Sequence, residues 1–173
     1  MLGLTMSAVA ERAGVSRPTL YKYFPDIGHV LATWVGEEID AFIDEHLGVE
    51  AEGGRTPTAS IEQFIRAQLA EFASHPQRLG LTHLEAGVPS AVLSAVHARM
   101  DLIHTHLVRI LREGVAEGAF AADLDAELQA LLLTNVLGAL RATVADPSRD
   151  SADVADAVVA LLLDGLRARP VAD

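Results

Sequence analysis

The side chains best equipped for chemistry lie in one short stretch near the N-terminus. From Arg17 the sequence runs Arg-Pro-Thr-Leu-Tyr-Lys-Tyr, and Arg17, Thr19, Tyr21, Lys22 and Tyr23 all carry hydrogen-bond donors. Such donors suit phosphate oxygens, and Arg17 or Lys22 has the reach for guanine O6 and N7 in a major groove. The histidines suggest a second chemistry, metal ligation. His97 and His104 stand seven apart with Asp101 between them, while His104 and His106 point to different sides of a helix. No His-His pair has the i, i+4 spacing that chelates well on a helix, and His83-Leu84-Glu85 is no better, so no metal site is expected. The chain has no cysteine, no Gly-x-Ser-x-Gly elbow, no glycine-rich phosphate loop and no His-Glu-x-x-His. These absences predict no catalytic residues, no cofactor and no enzyme.

The donors need elements to hold them. Thr5 is placed to cap a short helix over residues 6–13, and Gly14 follows where a tight turn needs positive φ. Ser16 can cap a second helix whose first turn accepts Pro18. Ala10 permits close approach of the two helices, with Val9, Ala13, Val15 and Leu20 filling the wedge between them. Leu20 and Phe24, four apart, turn inward and leave the donors outside. This is the pattern of a helix-turn-helix. An ordinary helical hairpin with a solvated polar side is the plainer alternative, and the conjunction of cap, turn, wedge and outward tyrosines weighs against it.

The run from Ala10 to Asp26, Ala-Glu-Arg-Ala-Gly-Val-Ser-Arg-Pro-Thr-Leu-Tyr-Lys-Tyr-Phe-Pro-Asp, closely resembles the DNA-binding signature of the tetracycline-repressor (TetR) family. The resemblance implies a homodimeric, ligand-responsive transcriptional regulator, in most members a repressor. Such a protein binds a palindromic double-stranded operator and releases it when a small-molecule effector enters the C-terminal body. It also implies operator contacts at Thr5, Ser7, Arg17, Thr19, Tyr21, Lys22 and Tyr23. Ile27 stands where the family usually has a phosphate-holding lysine. Family members also carry a further helix before the motif, for which a chain starting at Met1 has no room. Two expectations follow from that: a start further upstream, or a DNA-incompetent helical ligand-binding dimer.

Composition agrees with a helical chain. Half of the 173 residues are hydrophobic and only 5% aromatic, with alanine and leucine dominant, which favours an all-α fold over a sandwich or barrel. The net charge is −11, yet residues 1–35 carry +1 and the remainder −12. Any contact with nucleic acid is therefore confined to the N-terminal piece. Breakers divide the rest. One long amphipathic helix spans about 27–47, and the polar stretch from Gly48 to Pro57 marks a boundary between a head (1–46) and a ligand-binding and dimerisation body (47–173). Helical periodicity continues over 60–74, 89–115, 123–144 and 150–167.

Leucine falls on more than one face of each of the last two helices, which predicts a homodimer through that pair. A cavity is expected among the connecting helix and the segments 60–74 and 89–115, with Trp34, Phe64, Leu84, His97, Met100 and His104 on its wall. Trp34, on an apolar face, reads more readily as a core anchor. The acidic body points to a hydrophobic or weakly basic effector. No apolar run reaches membrane-spanning length and no signal peptide is visible, so the chain is expected in the cytoplasm with no membrane partner.

Overall fold

A computed structural model describes residues 5–47, 54–75 and 90–166, and every regular element among them is a helix. The first two, α1 (Met6–Arg12) and α2 (Arg17–Tyr23), are short and depend on their caps. Thr5 Oγ1 accepts from the Ala8 amide at 3.2 Å, and Ser16 Oγ accepts from the Thr19 amide at 3.2 Å. Gly14 between them takes φ +66°. The two helices meet over Met6, Ala10 and Leu20, with Val9 and Phe24 half-buried beside them. Two wedge residues lie elsewhere than expected. Ala13 and Val15 are exposed, because the helices cross at Ala10 and Leu20 and no described residue covers the turn's outer side.

Helix α3 (Ile27–His46) belongs to both halves of the molecule. Asp26 caps it, accepting from the His29 amide at 3.0 Å. At its start Ile27 and Val30 complete the small head core. Further along, Val35 packs with Val92 and Val96, and beyond them Ile43 and Leu47 enter the main core. The partner in this long seam is α5 (Ser90–Ala116). Arg99 of α5 holds Asp40 of α3 in a two-pronged ion pair, Nε–Oδ1 3.1 Å and Nη2–Oδ2 2.9 Å. Gly36 makes room for that guanidinium, since a Cβ there would lie 2.8 Å from Arg99 Nη2.

The body is completed by α4 (Pro57–Ser74), α6 (Ala126–Ala139), α7 (Arg141–Val144) and α8 (Ser151–Leu166). Its core joins Ile61, Phe64, Ile65 and Leu69 of α4 to Leu107 and Leu111 of α5, Leu133 and Leu137 of α6 and Leu163 of α8. The expected single helix over 123–144 is in fact two. It starts late because Asp125, not Asp123, is the cap, its Oδ1 accepting from the amides of Glu127 and Leu128 at 3.1 Å each. It breaks at Leu140, where the amide bonds back to both Val136 and Leu137 in a tightened last turn. That break aims Arg141 back toward the interior. No described helix is long and apolar enough to cross a membrane.

Candidate nucleic-acid interface and body cavity

The head presents α2 outward. Arg17, Thr19, Tyr21, Lys22 and Tyr23 are all exposed, the tyrosines by 53% and 69%. Large aromatic rings facing water on a seven-residue helix are costly without a partner, and both carry a hydroxyl able to contact phosphate. Lys22 Nζ lies 5.8 Å from the Tyr23 ring centroid, so cation and ring share one side of the helix. Thr19 is less free than its neighbours, since its hydroxyl is 2.7 Å from Ser16 Oγ within the cap. Thr5 is exposed at the start of α1 and Ser7 is half-buried two residues on. The arrangement offers two cations and several hydroxyls along the exposed part of one short helix, chemistry suited to a groove.

A cavity of about 310 Å³ lies in the body, at the lower end of the range for small-molecule sites. Helix α3 supplies Trp34, Ile39 and Phe42 to its wall, α4 supplies Phe64 and Phe72, and α5 supplies Val96, Met100 and Ile103. Phe42 meets Phe64 edge-on with centroids 6.3 Å apart. Trp34, Phe64 and Met100 thus stand together on this wall. Trp34 is no core anchor: it is 41% exposed, at the edge of the cavity.

The two histidines expected on the wall lie elsewhere. Val96, Met100 and Ile103 face the cavity, and stepping one residue along a helix turns about 100°, which carries His97 and His104 away. His97 is exposed, and His104 Nε2 pairs with Glu127 Oε2 at 3.0 Å on another side of α5. Leu84 lies outside the described residues, as do His83 and Glu85.

Sequence reasoning missed the polar part of the wall: Gln68, Glu71, His75, His46 and above all Arg141. Arg141 lies over Phe72, Cζ 3.9 Å from the ring centroid, and burial pushes its guanidinium below the usual arginine value. A signal for it was present, a lone charge in the run Leu140-Arg141-Ala142-Thr143-Val144. Charges inside apolar helical runs are rarely placed without a partner or a task.

Residues 1–32 match the family described as bacterial regulatory proteins, tetR family. The comparison with curated proteins finds no match. Among solved structures the fold is similar to that of the fatty acid degradation regulator FadR from Bacillus halodurans. That pair has TM-score 0.78 and 22% identity, over 96% of this chain and 88% of that one. It is similarly close to the transcriptional regulator FadR from Bacillus subtilis in complex with stearoyl-CoA (TM-score 0.78, 21% identity, 95% and 89% covered). The ketosteroid transcriptional regulator KstR2 of Mycobacterium tuberculosis follows (TM-score 0.69, 16% identity, 96% and 86% covered).

Proposed function

From a chain that has a tetR-family head on the all-α fold of the TetR-like regulators, we propose a dimeric transcriptional repressor that releases a palindromic operator when a small molecule enters its body. The observation that carries this reading is the outward face of α2. Arg17, Tyr21, Lys22 and Tyr23 are exposed together on a helix whose caps and turn hold it rigidly against α1. Two short helices with so small a core gain little from offering aromatics to water. They gain much by laying them along a phosphate backbone.

Dimerisation is supported by apolar faces that the monomer leaves bare. Leu128, Leu131, Leu132 and Val136 form a stripe on α6, each between 37% and 51% exposed. On α8, Leu161 is 73% exposed, with Gly165 one turn later and open space above it. A second copy would cover these side chains and set two heads side by side, as two half-sites require. The residue to change is Leu161 rather than its neighbour Leu162, which is half-buried against the main core.

Effector response is supported by α3. The same helix lines the cavity, is clamped to α5 through Asp40 and Arg99, and ends in the head core at Ile27 and Val30. The FadR structure determined with stearoyl-CoA favours an effector with a substantial apolar part.

The test is binding of the full chain to DNA from next to its own gene, measured across a salt series. Binding with a steep salt slope is expected, and Arg17→Ala and Lys22→Ala should each weaken it and flatten the slope by about one. A chain that dimerises and takes up ligand but shows no salt-dependent DNA binding would instead be a helical ligand-binding dimer.

A further inference from the structure

On the cavity wall, Arg141 forms no ion pair with any described residue. Three carboxylates share the wall with Arg141, and each is otherwise engaged or turned to water. Glu71 Oε1 lies 3.1 Å from His75 Nδ1, and Glu45, itself 75% exposed, lies 3.9 Å from His46 Nε2. Glu38 is exposed and not free. No carboxylate among the described residues comes within ion-pair distance of Arg141, which lies over the Phe72 ring. One helical turn before Phe72 on α4, Gln68 also faces the cavity, and its side-chain amide has no hydrogen-bond partner among the described residues.

An arginine keeps its charge under any ordinary burial, so a half-buried guanidinium without an anion carries a desolvation cost that its contact with one ring offsets only in part. A guanidinium held over a ring at 3.9 Å and without an ion pair among the described residues still has its N–H donors, and such a fork can take a carboxylate through two parallel N–H bonds. Trp34, Phe42, Phe64, Met100 and Ile103 form the apolar part of the wall.

We propose that the cavity binds an apolar molecule bearing a carboxylate, held at that carboxylate by Arg141 on the Phe72 ring with Gln68 as a second donor. This rests on reading the cavity as the effector site. It reverses the cationic effector that the chain's overall acidity suggests, because Arg141, the wall charge with no ion pair among the described residues, and not the net charge, selects the ligand.

Trp34, the only tryptophan of the chain, lines the cavity and reports binding without any DNA present. The full-length protein is titrated with straight-chain acids of eight to fourteen carbons, and with the methyl ester, amine and coenzyme A thioester of the same chains. The acid is expected to bind at least tenfold more tightly than the ester or the amine. Arg141→Gln should remove that preference while leaving ester binding within about twofold, and Arg141→Lys should keep part of it. Thermal unfolding of each variant separates loss of the site from loss of the fold, and the acid-to-ester ratio in the unaltered protein needs no variant. Ester, amine or thioester binding as tightly as the acid overturns the proposal. So does an unchanged ratio in a folded Arg141→Gln, and so does no acid binding at all. Release of operator DNA is followed separately. Acid that binds but releases no DNA leaves the carboxylate site standing and overturns the effector reading alone.

Discussion

The head and the body of this molecule are stabilised in opposite ways. The head buries Met6, Ala10 and Leu20 and otherwise turns its side chains outward. The body draws apolar residues from five helices and the end of α3 into one continuous core, in which Phe64, Leu107, Leu111 and Phe120 are almost wholly enclosed. At about 25 cal/mol per Å² of apolar surface, a core of three side chains cannot hold two helices by itself. The head is therefore ordered by its caps, its turn and the first turns of α3. The body is ordered by packing. A unit held locally can be moved or loosened without unfolding what lies behind it, which a DNA-binding head on a ligand-binding body needs.

That contrast can be broken or sharpened by substitution. The largest effect is expected at Leu161→Glu. A charge on so exposed an apolar face should halve the mass seen by light scattering, to a monomer near 18.4 kDa, with little change in helix content. Operator affinity should fall at least a hundredfold, since one head contacts one half-site. An unaltered protein already at 18.4 kDa would remove the dimer altogether.

Next comes Gly114→Ala. The added Cβ would sit against the buried Phe120 ring, which cannot swing aside because it is 1% exposed. Overpacking of this kind costs roughly 1–3 kcal/mol. For a chain of this size each kcal/mol lowers the Tm by about 2–4 °C, so calorimetry should show a clear fall.

Gly14→Ala should behave differently. Nothing lies within 4 Å of the new methyl, so the strain is that of the backbone alone at φ +66°. That strain is worth about 1–2 kcal/mol. It should appear as weaker DNA binding and faster amide exchange over residues 6–23, with the main unfolding transition almost unmoved. If Gly14→Ala lowered that transition as far as Gly114→Ala, head and body would be one cooperative unit and the contrast would fail.

The smallest effect concerns acid. Hydrogen bonding from the His29 side chain and amide holds the Asp26 carboxyl below the usual carboxylate range. A pKa lower in the folded than in the unfolded chain stabilises above the unfolded value of about 4, and the gain is lost as pH falls through the folded value. Asp146 is held low in the same sense by the Ser148 amide and side chain. Stability should thus be flat in these two groups from pH 7 to about 5 and decline below. Asp26→Asn should lower stability slightly at neutral pH, where the charged carboxylate contributes, change little in acid, and so flatten that part of the slope, as acid titration by circular dichroism would show.

The head was legible in the sequence because its determinants are contiguous. A cap, a glycine and the donors fall within twenty residues, and each acts on its neighbours through local geometry. Its failures, Ala13 and Val15, concern what packs over a turn, and that is not local. The body's helices were legible from periodicity, but its cavity was not. Whether His97 or Val96 faces inward turns on about 100° of rotation about one helix axis, set by the Val35–Val92–Val96 seam with α3. Arg141 was hidden because its meaning depends on a break at Leu140 that periodicity ran straight through.

The Asp40–Arg99 clamp gives α3 a fulcrum. At 1.5 Å per residue the arm from Asp40 to Ile27 is about 20 Å long, and the arm from Asp40 to His46 is about 9 Å. Of the wall residues on α3, Phe42 and His46 lie on the short arm, and about 1 Å of displacement at the end of that arm would become about 2 Å at the head. In two copies related by a twofold axis the heads would swing in opposite senses and their separation would change by about 4 Å, set against half-sites spaced about 34 Å apart. A mismatch of that size lies beyond the reach of the hydrogen bonds a docked pair of heads could make.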